Sequence, residues 1–343
     1  MLADCYTRDS ALLRTGYQPA LVLEFARGRD LAAAPLLRGS GLDETVLLDP
    51  LRRVSPGQLL ELLGRVARQL DDRDTAFVLG QQWLPGHYGA ASLALMQATD
   101  LGQALAILVG QQAQLCPLLG PRLRLEADEA VLYWTDSIGA GAMLPFLVEL
   151  HMTAVTALGR WLGGERLPWR YRFNRTRPRH LEQHQVHLGG ELRFDCQFDA
   201  MLIDRGWLER PWPRGNAAGM ALSLQQVAAE EGAWAGARSV VQAVYDQLLA
   251  DIRRPPTLEG TAHGFGVSPA TLKRHLARHG THFQALLDLV RTHVSLQLMQ
   301  YQGYDQAALA DYLCFHDARN FRRSFKRWTG LAADLPVSAV GSG

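Results

Sequence analysis

Cysteine is scarce in this 343-residue chain and never clustered: Cys5, Cys116, Cys196 and Cys314 stand far apart, with no Cys-x-x-Cys among them. That pattern indicates neither a zinc ribbon nor a disulfide framework, and it suits thiols kept reduced in a cytosol. Long apolar runs are missing too. Even the segment from Gly139 is interrupted by Glu149, His151 and Arg160, so no bilayer span is expected. The N-terminus lacks a basic patch followed by an apolar run, as a leader would need. There is no Walker-type glycine loop to cradle phosphates and no Gly-x-Ser-x-Gly nucleophile turn. The expectation is a cytoplasmic protein that is not an enzyme, with no catalytic residues, no cofactor and no membrane partner.

The formal net charge of +1 hides an asymmetry. Residues 236–343 carry 12 Lys plus Arg against 8 Asp plus Glu, whereas residues 1–235 carry 23 against 26. Only the C-terminal part suits a polyanion. A basic helix face is otherwise often just a solvated surface, so the helix pattern must decide.

From Ser268 the chain reads Ser-Pro-Ala-Thr-Leu-Lys-Arg-His-Leu-Ala-Arg-His-Gly. A capping serine, proline at the first helical position and glycine past the end punctuate a short helix. Leu272 and Leu276 share one face, which leaves Ala270, Thr271, Lys273, Arg274 and Arg278 free to meet a groove and its phosphates. Thr261 to Phe265 can form the supporting helix, with Gly266 as the left-handed turn residue. A second unit repeats the plan. Asp305 caps a helix carrying Leu309, Ala310 and Leu313, a turn follows at Cys314 to His316, and Asp317 caps a helix running to about Trp328. Phe321, Phe325 and Trp328 are spaced for a core, so Ala318, Arg319, Arg322 and Arg323 point outward, in a basic stretch that includes Lys326.

Between the units, Phe283, Leu286, Leu287, Val290, Val294, Leu298 and Tyr301 recur every three or four residues, one apolar stripe on a continuous helix. It would span roughly 28 Å. A strut of that length can hold two recognition helices about one DNA turn apart, roughly 34 Å, in successive major grooves. Ser239 to Leu249 reads as the first helix of this domain, ended by Arg253-Arg254-Pro255-Pro256.

These residues resemble the AraC/XylS family of bacterial transcription regulators over roughly the last hundred positions. The closing pattern stands as Phe321 to Gly330 and the Ser-Pro-x-Thr-Leu-x-Arg start as Ser268 to Arg274. The resemblance implies base contacts from Ala270, Lys273 and Arg274 in the first unit and from Ala318, Arg319 and Arg323 in the second. Two positions depart from the pattern. Cys314 stands where glycine is usual in the second turn, and a Cβ at positive φ costs about 1 kcal/mol. Gly264 inside the first supporting helix costs a similar amount relative to alanine.

In the first 210 residues, Pro56 to Leu70 is an amphipathic helix, and Ala91 to Ala98 and Leu101 to Leu115 look helical. Arg122 to Glu126 and Ala130 to Thr135 read as a hairpin around Asp128-Glu129. A strong helix follows with Leu144, Leu147, Val148, Met152, Val155, Leu158 and Leu162 on one stripe, closed by Gly163-Gly164. Trp169 to Phe173 and Leu192 to Phe198 are strand candidates. Helices beside a small, mainly antiparallel sheet make an α+β domain. The region resembles the arabinose-binding-like N-terminal domain of one branch of the same family, on Val54-Ser55, Asp71-Asp72, Gly80, His87 to Gly89, Leu101 to Leu105 and Gly189 to Phe198. That resemblance implies an effector-sensing or oligomerising domain, without naming the effector or the residues that bind it.

Tyr133, Trp134, Phe146, His151, Trp161 and Trp207 could line an apolar pocket, although aromatics at such spacing are more often core. His180, His184 and His187, near Glu182 and Cys196, have a spacing that could gather imidazoles on a helix as a metal site needs. The ligand set is incomplete, and Arg175, Arg177 and Arg179 oppose a cation. The segment after Pro178 is read as a polar surface helix and no metal is expected.

The expected organisation is an α+β effector or dimerisation domain over 1–210, a linker over 211–235, an all-α domain with two helix-turn-helix units over 236–333, and a tail over 334–343. The function expected is a one-component transcription regulator of activator type, with double-stranded promoter DNA, RNA polymerase and a small-molecule effector as partners and a homodimer as a possibility. A constitutive dimeric regulator without ligand, and a metal-dependent enzyme carrying a DNA-binding domain, stay open as alternatives.

Overall fold

The structure is a computed structural model, and it describes residues 2–42, 49–84 and 88–330. His87, one of the positions carrying the N-terminal resemblance, and the expected tail lie outside the described residues.

The N-terminal part mixes helices with sheet. Strands β1 (Cys5–Tyr6) and β2 (Leu13–Arg14) precede helices α1 (Gln18–Arg27) and α2 (Ala33–Leu37). Strand β3 (Arg53–Val54) pairs antiparallel with β2 and leads into α3 (Pro56–Leu70). This helix has a full set of start and stop signals: Ser55 and Gln58 close a capping box, Pro56 opens the first turn, and Asp71 ends it at φ 46°. Next come α4 (Thr75–Trp83), α5 (Gly89–Met96), α6 (Leu101–Gly110) and the single turn α7 (Gln112–Leu115). The helix expected over Leu101 to Leu115 thus breaks at Gly110-Gln111. Helix α4 was not anticipated; Asp74 stands at its N-cap but makes no side-chain capping bond.

A five-stranded sheet follows in the order β4 (Leu119–Leu125), β5 (Glu129–Asp136), β8 (Ala200–Asp204), β6 (Arg170–Arg172), β7 (Leu192–Arg193), antiparallel except for β6 with β7. The hairpin β4–β5 lies where the sequence reading placed it, around Asp128-Glu129. Strand β8 was missed because its first four residues, Ala200 to Ile203, are all buried, so both faces are covered and no polar alternation marks it. The strand expected over Leu192 to Phe198 stops after Arg193, since Asp195 takes a left-handed φ of 57°.

Helix α8 (Leu144–Gly163) crosses beside the sheet and ends at Gly164, φ 79°. The segment Gly141–Gly163 is, by length and composition, apolar enough to cross a membrane, which corrects the sequence expectation. In this fold it is the central core helix, with Leu147, Leu150, Ala154 and Leu162 fully buried. Helix α9 (Glu182–His187) is not the simple surface helix expected. His184 is 5% exposed, ringed by Phe77, Phe173 and Phe194, with Nε2 3.0 Å from Glu149.

The segment 211–235, read as a linker, contains α10 (Ala217–Glu231), which packs on α5. Its buried end residue Glu231 meets Arg53 at 2.8 Å and Arg14 at 3.6 Å. A buried carboxylate held by two guanidinium groups anchors the helix rather than leaving it to swing. Strand β9 (Arg238–Ser239) then pairs in parallel with β1.

The C-terminal part is helical: α11 (Val240–Ala250), α12 (Leu258–Gly264), α13 (Pro269–Arg278), α14 (Phe283–Gln302), α15 (Gln306–Tyr312) and α16 (Ala318–Thr329). Its core continues into the sheet. Along β5, Ala130, Leu132 and Trp134 face the N-terminal core while Val131 and Tyr133 face the C-terminal one; along β8, Met201 and Ile203 divide from Ala200 and Leu202 in the same way. The two-residue period of a strand sends alternate side chains to opposite faces. One sheet therefore serves both cores.

Candidate nucleic-acid interface

Helices α13 and α16 are built alike. Ser268 Oγ accepts the Thr271 N–H at 3.1 Å, and Asp317 Oδ1 accepts the Asn320 N–H at 2.7 Å. The bond from Asn320 also holds the Asp317 carboxyl below its ordinary pKa, so the cap stays anionic beside a helix N-terminus. Leu272 and Leu276 are buried under α13, Phe321 and Phe325 under α16. Burying those stripes turns the opposite faces outward. Ala270, Lys273, Arg274 and Arg278 are exposed and Thr271 is half-buried; Arg319, Arg322, Arg323 and Lys326 are exposed and Ala318 is half-buried. Every residue singled out from the sequence therefore lies on one of these two helices and reaches the surface.

The first supporting helix, expected over Thr261 to Phe265, begins three residues earlier at Leu258, while the second starts directly after its expected cap Asp305. Thr257 caps α12 through the Gly260 N–H, and Asp305 caps α15 through the Ala308 N–H at 2.8 Å. The second turn is strained as expected: Cys314 adopts φ 56°, and its Sγ donates to the Arg253 carbonyl at 2.6 Å. Helix α14 has 20 residues, roughly 30 Å of axis, and Arg327 of α16 meets Asp288 of α14 at 3.4 Å. No acidic side chain among the described residues forms an ion pair with Lys273, Arg274, Arg319, Arg322, Arg323 or Lys326. Lys273 and Lys326 are the only lysines in the chain. That distribution is a sequence signal for the interface that residue-by-residue motif reading passed over.

Arg278 differs from the rest. It is ion-paired with Asp9 of the N-terminal segment, and next to it the Arg8 N–H donates to His279 Nε2 at 3.0 Å. Arg8 also donates through Nη1 to the Gly139 carbonyl at 2.8 Å. Asp136 accepts the N–H groups of Ile138, Gly139 and Ala140 at 2.8–3.1 Å, fixing that loop. The end of α13 is thus docked on the N-terminal part, whereas α16 has no such tie among the described residues. Sequence reading had no access to Arg8, Asp9 or Gly139, because their partner lies over a hundred residues away.

The other docking contacts surround α11 and α14. Arg122 of β4 lies 3.8 Å from the Tyr245 ring centre and pairs with Asp246 at 2.5 Å. Gln242 Nε2 donates to Gln112 at 2.6 Å over Gly120, where an added Cβ would stand 1.6 Å from that same amide. Glu126 accepts from Gln297 at 3.0 Å, and Tyr301 donates to Glu129. At the centre, His293 packs against Tyr133 and Phe198 and hydrogen-bonds Tyr245 OH at 2.6 Å. Burial, reinforced by Arg122 and Arg124, drives its pKa down to about 3.

The aromatics proposed for a pocket do not gather into one. Tyr133 and Trp134 face opposite sides of the sheet, and His151 is buried against Trp83 and Trp134. Trp207 carries the Arg210 guanidinium 3.6 Å from its ring centre, and Trp161 borders a cleft apart from the others. Nor do the histidines meet: His184 binds Glu149 and Arg175, while His187 Nδ1 contacts Gln81 at 2.8 Å.

Two capped, cation-bearing helices joined by a long strut and attached to an α+β body define a double helix-turn-helix DNA-binding protein. The model of the arabinose-binding domain of AraC transcription regulators matches residues 31–212, and a helix-turn-helix domain model matches residues 261–334. The chain belongs to the AraC family of transcription regulators. It is 29% identical over 254 residues to the ornithine utilization regulator of Pseudomonas aeruginosa, covering 74% of this chain and 75% of that one. An uncharacterized HTH-type transcriptional regulator of Mycobacterium tuberculosis is 23% identical over 329 residues, 92% of this chain and 94% of the relative. The crystal structure of the transcriptional regulator CdpR from Pseudomonas aeruginosa aligns over 92% of this chain and 96% of its own, with 21% identity and a TM-score of 0.44.

Proposed function

We propose that this DNA-binding transcription regulator reads promoter DNA with α13 and α16 together, and that an effector bound to the N-terminal part sets how freely α13 joins. The observation that carries the reading is the pair of cationic faces on two similarly capped helices, where Lys273, Arg274, Arg319, Arg322, Arg323 and Lys326 have no ion-pair partner among the described residues. Base contacts fall to Ala270, Lys273 and Arg274 on α13 and to Ala318, Arg319 and Arg323 on α16, with Thr271, Arg278, Arg322 and Lys326 placed for phosphates. Residues 1–210 act as the sensing part and 236–333 as the reader. The asymmetric docking supports an effector role: only α13 is held through Arg278 and His279, so releasing that joint changes one half of the reader.

The reading carries RNA polymerase as a neighbour at the promoter and the cytoplasm as the place of action, since that is where bacterial promoter DNA lies. A homodimer through the N-terminal part belongs to it as well, because the packed helices α5 and α10 each leave a leucine exposed, Leu93 and Leu222. The test is fluorescence anisotropy of the full chain on duplexes from its own upstream region, over a range of salt. Each phosphate contact should steepen the fall of log affinity with log salt by roughly 0.9. Affinity that ignores salt, or that is equal for scrambled duplexes, would sink the reading.

A further inference from the structure

A cleft of 790 Å³ opens among α4, α8 and α9, and its lining contains three arginines, Arg160, Arg166 and Arg214, but no carboxylate. None of the three forms an ion pair among the described residues. Their field reaches the neighbouring groups: Arg166 favours ionisation of Tyr171 and disfavours protonation of His187. Like charges gathered without a counter-charge repel, and an anion entering the cleft relieves that repulsion.

A second observation comes from the cleft floor. Thr153 is 1% exposed and its hydroxyl has no hydrogen-bond partner among the described residues. Thr156, three residues on, behaves as helical threonines usually do, donating to the Met152 carbonyl at 2.7 Å and meeting Tyr171 OH at 2.7 Å. A buried hydroxyl left unmatched is costly, so its place in the lining provides a polar anchor for an incoming group. The rim is apolar: Trp161 and Val186 both border the cleft and are 43% and 68% exposed, unusual for side chains of their size. Arg214 already lies 4.7 Å from the Trp161 ring centre.

We propose that this cleft is the effector site, and that it takes a small organic anion, a carboxylate or phosphate head on an apolar body. The head sits among Arg160, Arg166 and Arg214, which offer forked donors suited to either oxyanion, with Thr153 as a further partner. The body covers Trp161 and Val186. The inference rests on the effector-controlled reading above and adds a route to it. Thr153, Thr156, Arg160 and Trp161 all lie on α8, whose N-terminal end begins five residues after Gly139, the loop residue held by Arg8 beside His279. One rigid helix therefore connects the cleft to the joint that docks α13.

The experiment is isothermal titration of the full chain with phenylacetate, hexanoate, phenyl phosphate and, as a charge-reversed control, hexylamine, followed by anisotropy on promoter DNA with each. At least one anion is expected to bind and hexylamine is not; Arg160→Gln and Arg166→Gln should each weaken binding about tenfold, and Trp161→Ala should weaken the probe with the larger apolar body. Leu51→Ser, at an exposed leucine outside the cleft lining, should leave it unchanged. Preference between phenylacetate and phenyl phosphate identifies the head group. Binding that survives both arginine substitutions, or no binding of any anion, overturns the site. If hexylamine alone binds and alters DNA affinity, the anion proposal fails while effector control stands.

Discussion

Gly139 and His279 approach so closely that a Cβ on Gly139 would stand 2.6 Å from the His279 carbonyl oxygen and 3.1 Å from its α-carbon. Gly139 also adopts φ 77°, a conformation that side chains resist. The loop before α8 and the end of the first recognition helix thus meet backbone to backbone, at a position only glycine can occupy.

Gly139→Ala should therefore loosen that joint without touching a DNA-contacting residue. Strain at positive φ plus the clash should cost about 1–3 kcal/mol, against an intact joint. The measurement is limited proteolysis beside a melting curve: faster cleavage between 264 and 283 is expected, with the core of residues 100–210 still protected. Unchanged proteolysis would show that Gly139 does not hold α13.

Acid should release the same joint. His279 Nδ1 contacts the His275 carbonyl at 2.7 Å, and its Nε2 receives the Arg8 N–H. Since a carbonyl only accepts and an amide N–H only donates, the ring must be the neutral Nδ1–H tautomer. Burial lowers the His279 pKa, and in the second core burial lowers that of His293 from 6.5 to about 3. A depressed folded-state pKa means that the unfolded state binds the extra proton first. The stabilisation is therefore complete above about pH 6.5 and declines as pH falls toward 3, by on the order of a few kcal/mol for His293. Chemical denaturation across pH 7 to 4 should record the loss, and His293→Phe, which has no proton to take up, should reduce it, the remainder coming from His279 and from His151, whose pKa burial lowers to about 4.

The two lysines offer a direct footprint. Because Lys273 and Lys326 are the chain's only side-chain amines, mild acetylation read by mass spectrometry samples both recognition helices at once. Bound promoter duplex should protect both. Protection of Lys326 without Lys273 is the outcome expected if α13 stays docked through Arg278 and Asp9.

Substituting Arg323 and Arg322 in turn should separate base reading from phosphate binding. Arg323→Gln should cost about 1–3 kcal/mol on the preferred duplex and narrow the gap between right and wrong bases at one position. Arg322→Gln should weaken all duplexes alike and reduce the salt slope by about one contact. The reverse pattern would exchange the two roles.

Local signals carried far in this chain. Ser268, Asp317, Gly266 and Gly280 marked helix ends because caps and left-handed turns are chemistry between near neighbours, and the stripe from Phe283 to Tyr301 announced α14 in the same way. Helix α3 was legible at both ends for that reason. Strand β8 was not, since burial on both faces erases alternation and no turn flags its start as Asp128-Glu129 does for β5, and Asp74 at the start of α4 makes no side-chain capping bond. His184 looked like part of a polar surface because its partners Glu149, Phe173 and Phe194 come from three other segments.

By itself, then, the sequence determined the two recognition helices, their strut and their outward-facing cations, because periodicity and capping act over a single turn of helix. Only the tertiary structure decided that one sheet serves two cores, that α13 is docked while α16 is left without such a tie among the described residues, and that Arg160, Arg166 and Arg214 converge on one cleft with Thr153. Those relationships join residues up to 271 positions apart, as Arg8 and His279 are, and distance along the chain leaves no periodic trace of contact in space.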